Sequence, residues 1–313
     1  MLRLIAIKTI RALITVTLCV TVVFLILRVS GDPATVLLPD STPPDTLAQY
    51  RARWGLDEPV VVQYVKYIQS LFHGDFGRSF ADNRDAIDVV RERIPATLQL
   101  GSAAFVLSLL LGLPMGVIAA IYRNTWFDRF VMGLAVLGYS IPNFFLGILL
   151  ILFFSMQLRL LPSSGSDTWL HILMPVLTLG SAASGTIARF TRTSMIEVMG
   201  QSFMRTAQGK GAPWSYAIIR HALPNAAIPI VTVIGFQLGG LIGGALVTET
   251  VFAWPGVGRL LVSAVGNRDL AVVQTIVLMV AITMVLANYI VDLTYGLLDP
   301  RIRSSSSSEA SRP

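Results

Sequence analysis

Runs of apolar residues long enough to cross a lipid bilayer constrain this chain more than anything else in it. A membrane-spanning helix needs about 20 mostly apolar residues. Clear runs of that order lie at 10–27, 96–121, 130–156, 226–252 and 271–295, and a weaker one, richer in Gly, Ala and Ser, lies at 170–187. Pro114 and Pro142, within such runs, are tolerable because neighbouring helices can satisfy the freed carbonyls. The runs predict an all-α membrane protein with six transmembrane helices. Composition agrees: of 313 residues 54% are hydrophobic and 13% charged, where a soluble domain carries roughly a quarter charged residues.

Charge placement predicts the orientation. Six spans put both termini on one side. The gaps that then face the cytoplasm hold Arg3, Lys8 and Arg11, then Arg123 and Arg129, then Arg189, Arg192, Arg205, Lys210 and Arg220, and finally Arg301 and Arg303. The short outer gaps hold only Arg159, Arg259 and Arg268. Basic residues collect on the cytoplasmic side of short loops, so both termini are expected inside. The net charge of +6 is then explained by membrane anchoring and does not call for nucleic acid.

The chain divides accordingly. Residues 1–28 are a cytoplasmic N-terminus and first transmembrane helix. A cleaved signal peptide is the alternative there, but the run is long and Arg28-Val-Ser-Gly-Asp-Pro is a poor cleavage site. Residues 29–95 form a long extracytoplasmic segment. Within it 45–53 reads as a short helix ended by Gly55, and a second helix runs from Pro59 to Phe72 and stops at Gly74. That second helix is amphipathic, with Gln63, Lys66 and Ser70 on one face and Val61, Val65, Ile68 and Phe72 on others. It suits either the outer membrane interface or a partner, or packing on the chain's own spans. Residues 96–303 form a five-helix core, and the serine-rich 304–313 a disordered tail.

Between the fourth and fifth runs lies a polar, basic island, FMRTAQGKGAPWSYAIIRHALP, from Phe203 to Pro224. Residues 204–208 can form a short helix. Gly209 and Gly211 suit its stop, since glycine accepts the left-handed conformation of a C-terminal cap. Pro213 suits the first turn of a second helix, expected over 214–223.

No catalytic pattern is present. The chain's only lysines, Lys8, Lys66 and Lys210, sit in no G-x-x-x-x-G-K-[ST] loop, and neither H-E-x-x-H nor G-x-S-x-G occurs. His73, His171 and His221 are isolated in sequence, and the lone Cys19 excludes an internal disulfide; no metal site is expected. In the fifth run Gly239 with Gly243, and Gly240 with Gly244, are small-xxx-small pairs that let helices approach closely or form a smooth path wall. Gln237 and Glu249 share that run. An ionisable group at membrane depth usually faces protein or water, unless Glu249 already lies at the outer interface; Asp292 raises the same question near the inner side. Asn143, after Pro142, either lines a pathway or satisfies a freed carbonyl. Asn143, Gln237, Gly240, Gly244 and Glu249 are thus the pathway candidates.

The island's spacing resembles the EAA loop of ABC importer membrane subunits: Glu-Ala-Ala, three residues, Gly, nine residues, Ile, one residue, Leu-Pro. Here Ala207, Gly211, Leu223 and Pro224 match, while Arg205 replaces Glu, Thr206 replaces Ala and His221 replaces Ile. The Thr-Ala-x-x-Lys-Gly and Arg-His-Ala-Leu variants, with RWGLDEPVVVQYVKYI, HGDFGRSF and ETVFAWPGVGRLL elsewhere, are similar to the peptide/nickel branch, so the likeness covers most of the chain. It implies a permease subunit in a bacterial inner membrane that pairs with a second permease. Two cytoplasmic ATPase subunits carry the ATP and Mg, this chain holding no cofactor, and an extracytoplasmic binding protein delivers di- or oligopeptide cargo. The EAA-type loop, at about 196–225, is then a coupling loop in which Arg205, Thr206, Ala207, Lys210, Gly211, His221, Leu223 and Pro224 meet the ATPase. Nickel, glutathione or another small solute on the same machine, and an ATP-independent channel, are the alternatives.

Overall fold

A computed structural model describes residues 2–29, 43–53, 57–79 and 81–298. The described residues are mostly helical and contain no strand beyond one isolated bridge between Arg78 and Asp85. In chain order the helices are α1 (Leu2–Val29), α2 (Pro44–Arg53), α3 (Val60–Phe72), α4 (Ala86–Arg91), α5 (Ile94–Ile121), α6 (Trp126–Ser140) and α7 (Asn143–Leu150). After them come α8 (Leu173–Met199), α9 (Ser202–Gly209), α10 (Trp214–Ala217), α11 (Leu223–Gly244), α12 (Leu246–Val251), α13 (Val257–Gly266) and α14 (Leu270–Leu298). A π-helical turn extends α7 over Ile151–Gln157, and another joins α10 to α11 over Ile218–Ala222. Four helices are long and apolar enough to span a membrane, or up to six if each of two bent pairs is one span.

The described residues fall into two compact units, Met1–Thr97 with Pro255–Val285 and Leu98–Trp254 with Leu286–Pro313. In the first, α3 packs on α1. Phe24 is fully buried between Tyr64 and Tyr67, its ring 5.3 and 5.6 Å from theirs, and the Tyr64 hydroxyl lies 2.7 Å from Thr21 Oγ1. Burial, with neighbouring Tyr64 adding to it, pushes the Tyr67 hydroxyl up to about 12. Of the two readings of this amphipathic helix, packing on the chain's own first span describes its aromatic face, while Val61, Val65 and Phe72 stay exposed. As the sequence predicts, Pro59 caps α3 and the chain turns at Gly74, whose φ is +76°. Gly55 lies outside the described residues.

The stretch after Gly74 is anchored. Ser79 Oγ donates to the buried Asp269 carboxylate at 2.5 Å, and the other carboxylate oxygen accepts the Val272 N–H at the start of α14. Val89 and Val90 from α4, Val257 from α13, and Val272, Val273 and Ile276 from α14 then close a small valine-rich core.

The second unit is built around α8. Glycines let its neighbours approach to backbone distance: a Cβ at Gly112 of α5 would lie 2.8 Å from the Ser184 carbonyl oxygen, and one at Gly116 would lie 2.5 Å from that of Ala188. On α8, a Cβ at Gly185 would land on the Ala135 carbonyl of α6, and one at Gly180 would lie 3.2 Å from the Ala104 carbonyl oxygen of α5. Close packing through glycine is therefore seen around the fourth run. Gly239, Gly240, Gly243 and Gly244 lie on α11, but their surroundings fall outside the described residues, as do the side chain of Asp292, Arg301, Arg303 and the tail.

Three spans differ from the sequence expectation. The third run is two helices, α6 and α7 with its π turn, bent by 102°. Pro142 sterically drives Ile141 out of the helical region, to ψ 123°, and is itself extended at ψ 135°. The fourth run, 170–187, lies within a longer helix: α8 continues to Met199 and carries Arg192, paired with Asp128, on its extension. The helix expected over 214–223 has no stop: the π turn leads straight into α11, with Pro224 in its first turn where its missing N–H costs nothing. A 53° bend follows, between 214–227 and 229–237, at Pro229.

Candidate functional site

The basic island folds as a helix, a tight turn and a second helix. Gln201 is extended and precedes α9. At the other end the Gly211 N–H bonds the Gln208 carbonyl at 2.9 Å and the Ala212 N–H bonds the Ala207 carbonyl at 3.1 Å. With Gly211 at φ +84° these two bonds form a Schellman motif, which satisfies the last carbonyls of the helix. Gly209 remains inside α9, so of the two glycines only Gly211 makes the stop. Pro213 is extended and precedes α10.

Met204 is the one side chain of α9 that is buried. It enters an apolar cluster with Ala120 of α5, Met195 of α8, and Ala217, Ile218 and Ala222 of the second helix. The loop is therefore anchored by its apolar face. Arg205, Thr206 and Lys210 are exposed, Thr206 Oγ1 bonding back to the Ser202 carbonyl at 3.1 Å, and Ala207 is half-buried. The His221 ring lies 6.0 Å from that of Tyr216. Asn225 Nδ2 donates to the His221 carbonyl at 2.7 Å, where the backbone ladder is disturbed, and Leu223 and Pro224 are exposed. Such a surface can dock a protein; it has no geometry for bond chemistry.

A cavity of about 540 Å³ lies in the same unit. Its wall brings together two of the pathway candidates, Asn143 at the 102° break and Gln237 on α11, with Ser108, Tyr139 and Thr186. Glu249 does not line it; its side chain is fully buried on α12. Gly240 and Gly244 lie where side-chain surroundings are not described.

Two further groups were not singled out by sequence patterns. Asp128, 3% exposed near the start of α6, accepts Arg192 Nε at 2.6 Å and a second guanidinium nitrogen at 2.7 Å, with the Asn124 N–H bonding it at 2.9 Å. This bidentate pair ties α6 to α8 ahead of the coupling loop. Arg189, on the same helix, stacks on Tyr139. The spacing Arg189-x-x-Arg192 was visible, but nothing in the sequence says which arginine has an acid.

Residues 112–304 match the family model described as binding-protein-dependent transport system inner membrane component, and residues 1–101 match the model of its N-terminal region. The chain belongs to this family: it is a multi-pass inner-membrane permease subunit of an ABC importer, of the peptide/glutathione branch, and the ATPase is not this subunit. It is similar to the glutathione transport system permease protein GsiC of Salmonella paratyphi A (strain ATCC 9150 / SARB42), 41% identical over 290 residues that cover 92% of this chain and 95% of the relative. The protein of the same name from Escherichia coli (strain K12) is 42% identical over 273 residues, 87% of this chain and 89% of the relative. Among solved structures, the inward-facing MetNI methionine ABC transporter matches with a TM-score of 0.58 at 21% identity, covering 68% of this chain and 97% of that one. An amino acid ABC transporter matches at 0.55 and 14% identity, covering 67% and 94%. These two likenesses establish a shared fold. A system of this family implies, in general, a partner permease, an ATPase and a substrate-binding protein.

Proposed function

We propose that this chain is one of two six-span permease subunits, both termini cytoplasmic, that together enclose a path for di- or oligopeptides. Two cytoplasmic ATPase subunits hold the ATP and Mg; this chain holds no cofactor. A binding protein outside delivers the cargo. The loop from Phe203 to Pro224 docks the ATPase, and closure of the ATPase dimer moves it. The helices on either side of it, α8 and α11, carry that motion to the cavity at Asn143 and Gln237, which faces the two sides in turn. Glutathione, itself a tripeptide, is the first cargo to try, because the relatives carry its name.

The observation that supports this reading is the Schellman turn at Gly211, which holds α9 on the core by Met204 and leaves Arg205 and Lys210 exposed. The test is Gly211→Val in the reconstituted complex. A side chain at φ +84° incurs strain of about 1 kcal/mol or more, higher when β-branched, and re-aims one helix of the pair. Uptake and cargo-stimulated ATP hydrolysis should uncouple while the subunit stays inserted; wild-type values in both assays would sink the docking role. The orientation has its own test. Single cysteines at Ser70 and Ser202, in a Cys19→Ala background, should react oppositely with an impermeant thiol reagent applied to intact cells.

A further inference from the structure

Two arginines one turn apart on α8 have opposite surroundings. Arg192 forks onto Asp128. Arg189 is exposed, and among the described residues its side chain meets no carboxylate and no hydrogen-bond acceptor. Its guanidinium carbon lies instead 5.0 Å from the centre of the Tyr139 ring and 5.5 Å from that of Phe190. Tyr139 is a wall of the 540 Å³ cavity, and so is Thr186, one turn before Arg189. Arg189 does not itself line the cavity, but its guanidinium rests against a residue of the wall.

The wall itself offers hydroxyls and amides, from Ser108, Tyr139, Asn143, Thr186 and Gln237, but no ionised side chain. A carboxylate that enters such a space gives up water without gaining a counter-charge, which is costly. Aromatic contact uses the flat face of a guanidinium and leaves its in-plane N–H donors available, in the fork that matches a carboxylate. We propose that Arg189 reads a carboxylate of the cargo at the rim of this cavity, Tyr139 serving as the platform that aims it. The inference rests on the peptide-cargo reading above, since every peptide with a free C-terminus supplies that carboxylate. A phosphate of a lipid headgroup offers similar chemistry, so the experiment has to separate the two.

The complete complex, with its second permease, ATPases and binding protein, is reconstituted in vesicles and its uptake of glutathione is compared with that of glutathione monoethyl ester, the same cargo with one carboxylate capped. Where dialanine is the cargo carried, dialanine and its amide form the pair. Dividing each variant's acid-to-ester ratio by that of the wild type removes the preference of the binding protein. Arg189→Gln should lower the ratio about tenfold, the scale of one hydrogen bond to a charged group. Arg189→Lys should keep most of the ratio and lose part, because an ammonium does not fork. Tyr139→Leu should lower it by a smaller factor, and supplies the same test if Arg189→Gln does not assemble. An unchanged ratio in Arg189→Gln overturns the inference. An equal fall for both members of the pair also overturns it, in favour of lipid anchoring or folding. A wild-type complex that carries neither glutathione nor dialanine overturns the cargo reading, and this inference with it.

Discussion

Helix α8 and the loop that follows it both depend on glycine, for opposite reasons. On α8 and its neighbours glycine provides space. A Cβ at Gly112, Gly116 or Gly185 would strike the main chain of the adjacent helix, which cannot rotate away as a side chain can. In the loop, a Cβ at Gly209 or Gly211 would meet nothing within 4 Å; what Gly211 provides there is a left-handed backbone. The first use builds a packed body in lipid, where small residues let helices associate. The second sets the angle of an exposed surface. Substitutions at the two places should therefore fail in different ways.

The largest effect is expected at Gly185. Overpacking a well-packed site costs roughly 1–3 kcal/mol, and an obstacle made of the Ala135 backbone puts Gly185→Leu at or above the top of that range. The subunit should fail to assemble, seen as loss of co-purifying ATPase and of a thermal transition in detergent. Next comes Arg192→Gln. Removing one partner of a buried ion pair costs roughly 3–5 kcal/mol. The Arg192 side chain is 25% exposed, so solvent screening brings the loss below that range. Thermal unfolding should show destabilisation, and the double variant Asp128→Asn with Arg192→Gln, which leaves no buried charge unpaired, should recover part of it. An additive double variant would mean that the pair carries no coupling. Gly211→Val should cost only about 1–2 kcal/mol of stability yet abolish cargo-stimulated hydrolysis. That separation of stability from coupling is what distinguishes the loop from α8. Smallest is Gly209→Ala. Gly209 is helical with free space around it, so alanine should be neutral or stabilise α9 by about 0.5–1 kcal/mol, with transport unchanged. A loss of transport there would mean that a docked partner fills the space.

Much of this was legible in the sequence wherever local chemistry decides. Pro59, Gly74, Gly211 and Pro213 each punctuate a helix where the residue type demands it. Pro142 announced a break, but the 102° angle depends on what α6 and α7 pack against. The fourth run was ended at Ile187 because Arg189 and Arg192 look like an exit from the bilayer, whereas the helix itself runs on to Met199. The carboxylate that pairs with Arg192 lies 64 positions earlier in the chain, beyond the reach of any local pattern. The helical packing motif was read in Gly239 to Gly244, whose surroundings lie outside the described residues, and was not read in Gly112-x-x-x-Gly116, which has the same spacing. Periodicity marks a small-residue face without naming the helix it meets. At the candidate site, the loop residues were found because their spacing is a motif. Asn143 and Gln237 were found as polar groups in apolar runs. Tyr139, Thr186 and Arg189 were not, since only the fold puts them around one cavity.

Main chain against main chain at α8 has a mechanical consequence. Shear motion between packed helices works by side chains slipping over one another in small steps, and at Gly112, Gly116 and Gly185 the α8 contacts with α5 and α6 include main-chain carbonyls that cannot slip in this way. These three segments must travel as a block. Whatever bending the unit undergoes is then concentrated at its two proline joints, the 102° corner at Pro142, next to Asn143, and the 53° corner at Pro229, on the helix that carries Gln237.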